Sequence, residues 1–335
     1  MTAITALEQL AAIVIDAASP MEEVERACAR LYDLFRDAAA PSMEAAAGAT
    51  EEQRLESGLA LSPALAANCL LDARRTRAFV RGTIGAIREA AARVDREHVE
   101  VLYAGTGPFA PLAFLALPFL DRERVRFTLL DIHPQSACSV EALVETFGFS
   151  DSVRAVICDD ATVYRHPVEL HVVVTETMQR ALAEEPFVAI VRNLRPQLSP
   201  DGVLVPAHVT IDLASIDPAA EQARWRGEAV ESSAHYIHGR VYEMNDGLEL
   251  PPEGEATTIV VRRDPSSEPQ WLALICRVVV HADEVLEPYE SGLTTPEILW
   301  NVPALPDEAK LAFRYVTGSR PRIEYRVQDD FRADD

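Results

Sequence analysis

The spacing of apolar positions divides the chain into three regions. Residues 1–95 carry apolar residues at three- and four-residue intervals, as in LEQLAAIVIDAA and VERACARLYDLFRDAAA, and this period predicts helices. The stretch APSMEAAAGATEEQ predicts a break between them. A further helix is expected from Pro63 to about Arg93, because Ser62 is a suitable N-cap and proline is favoured at the first helical position.

Short apolar runs alternate with helical segments over residues 96–213. EVLYAG, RFTLLDI, VRAVICD and LHVVVTE predict strands, and PLAFLALPFL and SACSVEALVETFGF predict helices between them. FVAIVRNLRPQLSPDG predicts a helix and turn, followed by a strand in VLVPAHVTIDLA. This alternation is typical of an α/β fold with a parallel, Rossmann-like sheet and right-handed crossovers.

The pattern changes again over residues 214–335. WLALICRVVVHA, KLAFRYVTG and RIEYRVQ are β-rich, and clusters of Gly, Pro and acidic residues separate them. They predict a C-terminal antiparallel β domain that resembles a barrel. The expected organisation is therefore a helical N-terminal region that serves as a cap or in dimerisation, a Rossmann-like cofactor domain and a β-barrel-like substrate domain.

Composition narrows the range of partners. The 335-residue chain has a formal charge of −22, which opposes nonspecific nucleic-acid binding because such binding requires many cationic side chains. The five cysteines are scattered without zinc-type spacing, so no metal site is expected and the thiols are predicted to be reduced. We find no secretion signal and no apolar run of ~18 residues. The chain is therefore predicted to be cytoplasmic, with no membrane association.

Small or acidic residues follow the predicted strands in order. They are Gly105 and Gly107, then Asp131, then Asp159 and Asp160, then Glu176. Since ligands bind beyond the carboxyl ends of parallel strands, these residues predict a nucleoside-containing cofactor, with their neighbours Tyr103 and Ile132 beside it. Glycine permits close backbone approach, and an acid after the second strand suits the ribose hydroxyls. Both NAD and S-adenosylmethionine fit, and acids at successive strand ends favour the cationic sulfonium cofactor.

The chain resembles the class I S-adenosylmethionine methyltransferases, and among them the protein arginine methyltransferase group. LLDARRTRAF is similar to the helix that precedes the sheet in that group, and the resemblance implies that Arg75 holds the cofactor carboxylate. TETMQRALAEEP resembles the double-glutamate loop, which implies that Glu176 and Glu185 face the acceptor. FVAIVRNLRPQLSPDGVLVPAHVTI resembles the helix, turn and strand that lead into the group's β-barrel, and SGLTTP resembles the segment that precedes its Thr-His-Trp loop. Because proteins of this group usually pair, a homodimer is expected.

The chain also departs from that group. EILWNV follows TTP, so Trp300 is present but the Thr-His-Trp motif is absent. No tyrosine-rich N-terminal helix is visible, and Thr177, Met178 and Gln179 replace the usual Trp and Met of the double-glutamate loop. These departures favour a small-molecule acceptor.

The expected reaction is methyl transfer to a small acceptor of natural-product type, such as an aromatic amino-acid derivative, an indole-like ring or an amine. The candidate bases are Glu176, Glu185 and the two histidines of SSAHYIHGR, His235 and His238, since a histidine titrates near neutral pH. Two alternatives remain open. One is a protein arginine methyltransferase that acts on basic peptides, and the other is a non-catalytic regulatory protein that retains the cofactor site.

Overall fold

Two long helices and a small hairpin form the start of the chain. The computed structural model describes residues 2–45, 51–94, 98–230, 235–245, 256–262, 270–299 and 308–328. Helices α1 (Ala3–Ile15) and α2 (Met21–Ala45) pack on each other. The buried positions of α1 are Leu7, Leu10, Ala11 and Val14, which is the spacing of one helix face.

A short hairpin interrupts the region that was predicted to be helical. Strands β1 (Gln53–Leu55) and β2 (Gly58–Ala60) pair antiparallel, with Leu55 opposite Gly58. The local signal is the Ser-Gly dipeptide at the turn, because this pair favours turns over helix. An alanine-rich context obscured that signal.

The helix predicted from Pro63 to Arg93 is divided in two. Ser62 is the N-cap of α3 (Pro63–Asn68), as predicted, and accepts a hydrogen bond from the amide of Leu65 at 3.3 Å. A 3-10 turn follows, and α4 (Ala73–Arg93) then begins with a cap of its own. The carboxylate of Asp72 accepts from the amide of Arg75 at 3.1 Å. This second cap places Arg75 in the first turn of α4.

Five parallel strands form the central sheet. Its elements in chain order are β3 (Val99–Ala104), α5 (Pro111–Phe114), β4 (Val125–Asp131), α6 (Pro134–Phe147), β5 (Val153–Cys158), β6 (Leu170–Thr175), α7 (Phe187–Leu194) and β7 (Leu198–Val205). The strand order is β5-β4-β3-β6-β7, with β3 at the centre. Every residue of β3 and β6 is buried, as expected for strands covered on both faces. The helix predicted in PLAFLALPFL is shorter than expected, since α5 ends at Phe114 and a 3-10 turn containing Pro118 follows.

The rest of the described chain forms antiparallel sheets. Its elements are β8 (His208–Ile216), α8 (Pro218–Trp225), β9 (His235–Asn245), β10 (Ala256–Arg262), β11 (Trp271–His281), β12 (Glu284–Leu286), β13 (Glu297–Ile298), β14 (Glu308–Val316) and β15 (Arg322–Gln328). One sheet has the order β12-β11-β8-β9, with β13 on β11, and another has the order β10-β14-β15. The predicted fold class is therefore confirmed. The change of sheet falls between β7 and β8, whereas the predicted third region starts at residue 214, inside β8.

Aromatic packing connects α2 to the glycine loop, residues 105–110, which follows β3 and contains Gly105 and Gly107. The ring of Phe35 on α2 lies 5.7 Å from that of Phe109, and Tyr32 meets Phe109 edge-on at 5.5 Å. Phe35 is fully buried and also contacts Phe114 and Phe147. The N-terminal helices are therefore part of the core that supports this loop.

Candidate active site

A cavity opens at the carboxyl ends of β3, β4 and β6. Its empty space is about 980 Å3, including solvent at its mouth. Both predicted glutamates and every residue predicted to bind the cofactor line it: Arg75, Tyr103, Gly105, Gly107, Asp131, Ile132, Asp159, Asp160, Glu176 and Glu185. The parallel sheet thus gathers residues that are up to 110 positions apart in the sequence. What they bind stays a prediction.

The glycine loop has a conformation that favours glycine. Gly105 has φ +76° and Gly107 has φ +58°, both in the left-handed region. A Cβ on Gly105 would lie 2.1 Å from the methyl carbon of Thr177, and one on Gly107 would lie 3.2 Å from the Cβ of Ala66. The groups that lie close to Gly105 and Gly107 are therefore side chains of the protein itself, Thr177 and Ala66.

Asp131 joins the ends of β3 and β4. One carboxylate oxygen accepts from the amide of Gly107 at 2.7 Å, and the other accepts from the amide of His133 at 2.9 Å. Burial raises the pKa of Asp131, and the two backbone hydrogen bonds oppose that rise. Each carboxylate oxygen retains a lone pair, so a ligand hydroxyl can still donate to it.

Asp159 and Asp160 lie beside Asp131 on the same edge of the sheet. The amide of Asp159 donates to the backbone oxygen of Asp131 at 3.1 Å. One oxygen of Asp160 accepts from both the amide and the hydroxyl of Thr162, at 2.8 and 2.7 Å. Asp160 therefore stabilises the turn after β5 in addition to lining the cavity.

Arg75 and Glu176 form an ion pair within the cavity wall. A terminal guanidinium nitrogen of Arg75 donates to Oε2 of Glu176, and the two side chains are 13% and 10% exposed. The other oxygen of Glu176, Oε1, is buried and has no hydrogen-bond partner among the described residues. An unsatisfied buried carboxylate oxygen is costly, so this atom is a position where a ligand donor would be stabilised.

Glu185 is a buried carboxyl group. It is 8% exposed, and burial raises its pKa from the ordinary 4.5 to about 7. The positive charge of Arg75 and a hydrogen bond from the side chain of Gln179 oppose this rise. Glu185 can therefore gain or lose a proton near neutral pH.

The backbone before Glu185 is held in an uncommon conformation. Ala181, Leu182 and Glu184 have φ of 53°, 54° and 63°, and non-glycine residues in this region cost of order 1–3 kcal/mol each. Contacts from distant segments maintain it. The hydroxyl of Tyr315 donates to the oxygen of Leu182 at 3.1 Å, and the amide of Glu184 donates to the oxygen of Pro321 at 2.8 Å.

The predicted histidines lie on β9. His238 is not among the residues that line the cavity, and its Nε2 lies 2.7 Å from the hydroxyl of Ser215. Burial lowers the pKa of His238. The side chain of His235 and all of Trp300 lie outside the described residues. The structure thus brings Glu176 and Glu185 to one cavity and places His238 elsewhere.

Several cavity residues were missed by sequence reasoning. The hairpin and the residue after it contribute Leu55, Leu59, Ala60 and Leu61, and Thr177 also lines the cavity. So does His133, which follows Asp131 and was expected near the ribose or adenine edge of the cofactor. The Nε2 atom of His133 is buried without a partner among the described residues. The Ser-Gly turn was the available signal for the hairpin, whereas Thr177 was noticed merely as a departure from a motif.

The sequence matches no family profile and no curated protein. Solved structures do match. PRMT1 of Trypanosoma brucei, solved as an enzyme–prozyme heterotetrameric complex with AdoHcy, has a TM-score of 0.57 at 15% identity, over 80% of this chain and 93% of that chain.

The chain has the fold of the protein arginine methyltransferases. A second structure of this fold, protein arginine methyltransferase 10 of Arabidopsis thaliana in a uniquely open conformation, has a TM-score of 0.53 at 16% identity and covers 74% of this chain and 86% of that one. The predicted resemblance is thereby confirmed for the fold. None of the described helices is both long enough and apolar enough to cross a membrane. Nor do His, Cys, Asp and Glu side chains form a metal-binding group of three within the described ranges.

Proposed function

We propose that the protein is an S-adenosylmethionine-dependent methyltransferase whose acceptor is a small molecule. The observation that carries the proposal is the cavity, because it joins the residues predicted for the cofactor to Glu176 and to the buried Glu185. The methyltransferase fold supports it, and the Trypanosoma brucei structure was solved with AdoHcy.

The residues present fit this cofactor. Asp131 is a buried carboxylate with lone pairs left for ribose hydroxyls, and Asp159 lies next to it for the adenine. Arg75 has guanidinium donors beyond the one bound to Glu176, so it can also take a carboxylate. Unsatisfied atoms of His133 and Glu176 remain in the wall. When bound, the sulfonium would supply an electrophilic methyl group.

The acceptor end of the cavity combines charge with apolar surface. Glu185 can take a proton from an amine or ring nitrogen, because its pKa of about 7 is matched to neutral pH. Glu176, fixed by Arg75, would orient the acceptor with its free oxygen. Leu55 and Leu59 of the hairpin cover the same cavity, which favours a compact acceptor over a polypeptide.

Calorimetric titration with S-adenosylhomocysteine, with NAD as the control, tests the cofactor. Micromolar affinity for the homocysteine compound alone is the expected result, and binding of NAD instead would overturn the proposal. Transfer of labelled methyl from S-adenosylmethionine to aromatic amines, identified by mass spectrometry, then tests the acceptor. Binding without transfer to any acceptor would favour the non-catalytic alternative.

One observation favours a second candidate, a protein arginine methyltransferase. Glu176 and Glu185 line one cavity, and paired carboxylates can hold a guanidinium through several charge-assisted hydrogen bonds. A Gly-Arg-rich peptide belongs in the same transfer assay. Methylation of this peptide in preference to every amine would establish the second candidate.

A further inference from the structure

The hairpin β1–β2 is attached to the loop that carries Glu185. The amide of Leu59 donates to the backbone oxygen of Glu184 at 2.7 Å. A Cβ on Gly58 would lie 2.9 Å from both the oxygen of Glu184 and the nitrogen of Pro186, so the two backbones are in close contact. The hairpin therefore lies directly against the segment that positions the buried carboxyl group.

A charged contact joins the same two segments. A terminal nitrogen of Arg54 lies 2.9 Å from a carboxylate oxygen of Glu184, and its other terminal nitrogen donates to the backbone oxygen of Ser319 at 2.7 Å. Arg54 thus connects the hairpin, the loop that carries Glu184 and Glu185, and the turn between β14 and β15. Because an isolated two-stranded hairpin is marginally stable in water, these contacts decide whether it stays in place.

The side chains of the hairpin segment make two kinds of contact. Arg54 points to Glu184 and Ser319, while Leu55, Leu59 and Leu61 line the cavity. The hairpin therefore presents apolar side chains to whatever shares the cavity with Glu185. The backbone of a basic peptide that crossed these leucine side chains would lose hydration without gaining hydrogen bonds from them.

We propose that the hairpin is a selectivity wall beside Glu185, at the end of the cavity where the acceptor would bind. The ion pair of Arg54 and Glu184, here called the latch, holds this wall in place. The closed wall admits a small amine with an apolar body and excludes a polypeptide segment. The statement about the acceptor rests on the proposed function, whereas the statement about the latch does not.

Hydrogen exchange tests the latch without any turnover. In Arg54→Ala and in Glu184→Ala, the amides of residues 55–61 should exchange about two- to fivefold faster than in the wild type, the range for a partly exposed ion pair. The double variant Arg54→Glu/Glu184→Arg should recover part of the protection. Arg36→Ala, which breaks an exposed ion pair with Asp33 on α2, is the matched control and should leave these amides unchanged.

Unchanged exchange of residues 55–61 in both single variants would overturn the latch. The wall is tested with tryptamine and a Gly-Arg-rich peptide as acceptors. The wild type should prefer tryptamine, and Arg54→Ala should lower that preference several-fold by improving transfer to the peptide. A wild type that methylates the peptide as well as tryptamine while its hairpin remains protected would overturn the wall.

Failure of the proposed function has a different signature. In that case the wild type would not bind S-adenosylhomocysteine and would methylate neither acceptor. The exchange difference between the wild type and Arg54→Ala would still decide whether the latch exists.

Discussion

The burial of Glu185 makes a specific prediction about stability. Its carboxyl group is 8% exposed and has a folded-state pKa of about 7, against an ordinary 4.5. Between these values the unfolded chain has already released a proton that the folded chain retains. Stability associated with this group is therefore fully present below pH 4.5 and is lost progressively as the pH rises to about 7.

The two pKa values set the size of the effect. The difference in pKa between the folded and the unfolded chain should reduce the free energy of unfolding by about 1 kcal/mol at pH 5.5 and by about 3 kcal/mol at pH 8.5. Glu185→Gln removes the ionisation and keeps the shape of the side chain. The free energy of unfolding of this variant minus that of the wild type should rise by about 2 kcal/mol from pH 5.5 to pH 8.5.

Urea denaturation at the two pH values measures this difference directly. Glu141→Gln, at an exposed position of α6, is the control and should shift by the same small amount at both pH values. A stability difference between Glu185→Gln and the wild type that does not change with pH would refute the assignment of a raised pKa to Glu185. The same substitution should lower methyl transfer by on the order of 10²–10⁴-fold if Glu185 is the base.

Substitutions at three other positions, Gly105, Phe35 and Asp72, test the structural support of the cavity. Gly105→Ala should lose both stability, measured by chemical denaturation, and affinity for S-adenosylhomocysteine, measured by calorimetry. The control Gly148→Ala has a similar φ but no atom within 4 Å of its added Cβ, so it should lose only about 1–2 kcal/mol of stability. Adding Thr177→Ser to Gly105→Ala removes the clashing methyl group and should recover part of both losses. Phe35→Ala should cost about 3–5 kcal/mol in urea denaturation, because its ring is fully buried, and a loss below 1 kcal/mol would contradict that packing. Asp72→Ala should lose more than the ~1 kcal/mol of a helix cap, because the second carboxylate oxygen of Asp72 also accepts from the hydroxyl of Ser291 and the amide of Gly292; a loss below that value in urea denaturation would contradict these contacts.

Much of the fold could be predicted because its signals are local and strong. The strands β3 and β6 are short apolar runs buried on both faces, and each is followed by a glycine or an acid. Parallel pairing then brings those strand ends to one edge, and Gly105, Asp131 and Glu176 line one cavity there. This reasoning needs no knowledge of long-range contacts beyond the sheet itself.

The remaining features depend on contacts between distant segments. Leu182 and Glu184 adopt left-handed backbone without being glycine, and no local pattern predicts this. Their conformation is held by Tyr315 and Pro321, more than 100 residues away in the sequence. The hairpin was missed for a similar reason, because β1 and β2 have three residues each and contact residues far away in the sequence, such as Glu184.

The contact between Thr177 and Gly105 shows how the two halves of the cavity depend on each other. Thr177 follows Glu176 directly, and its methyl group occupies the space that a side chain at residue 105 would need. Its hydroxyl lies 3.1 Å from that of Thr175, which fixes the side chain at the end of β6. This packed contact therefore links the segment that carries Glu176 to the path of the glycine loop. A residue larger than glycine at position 105 would displace the glutamate before it reached any cofactor, so loss of binding at this position reports on both ends of the site.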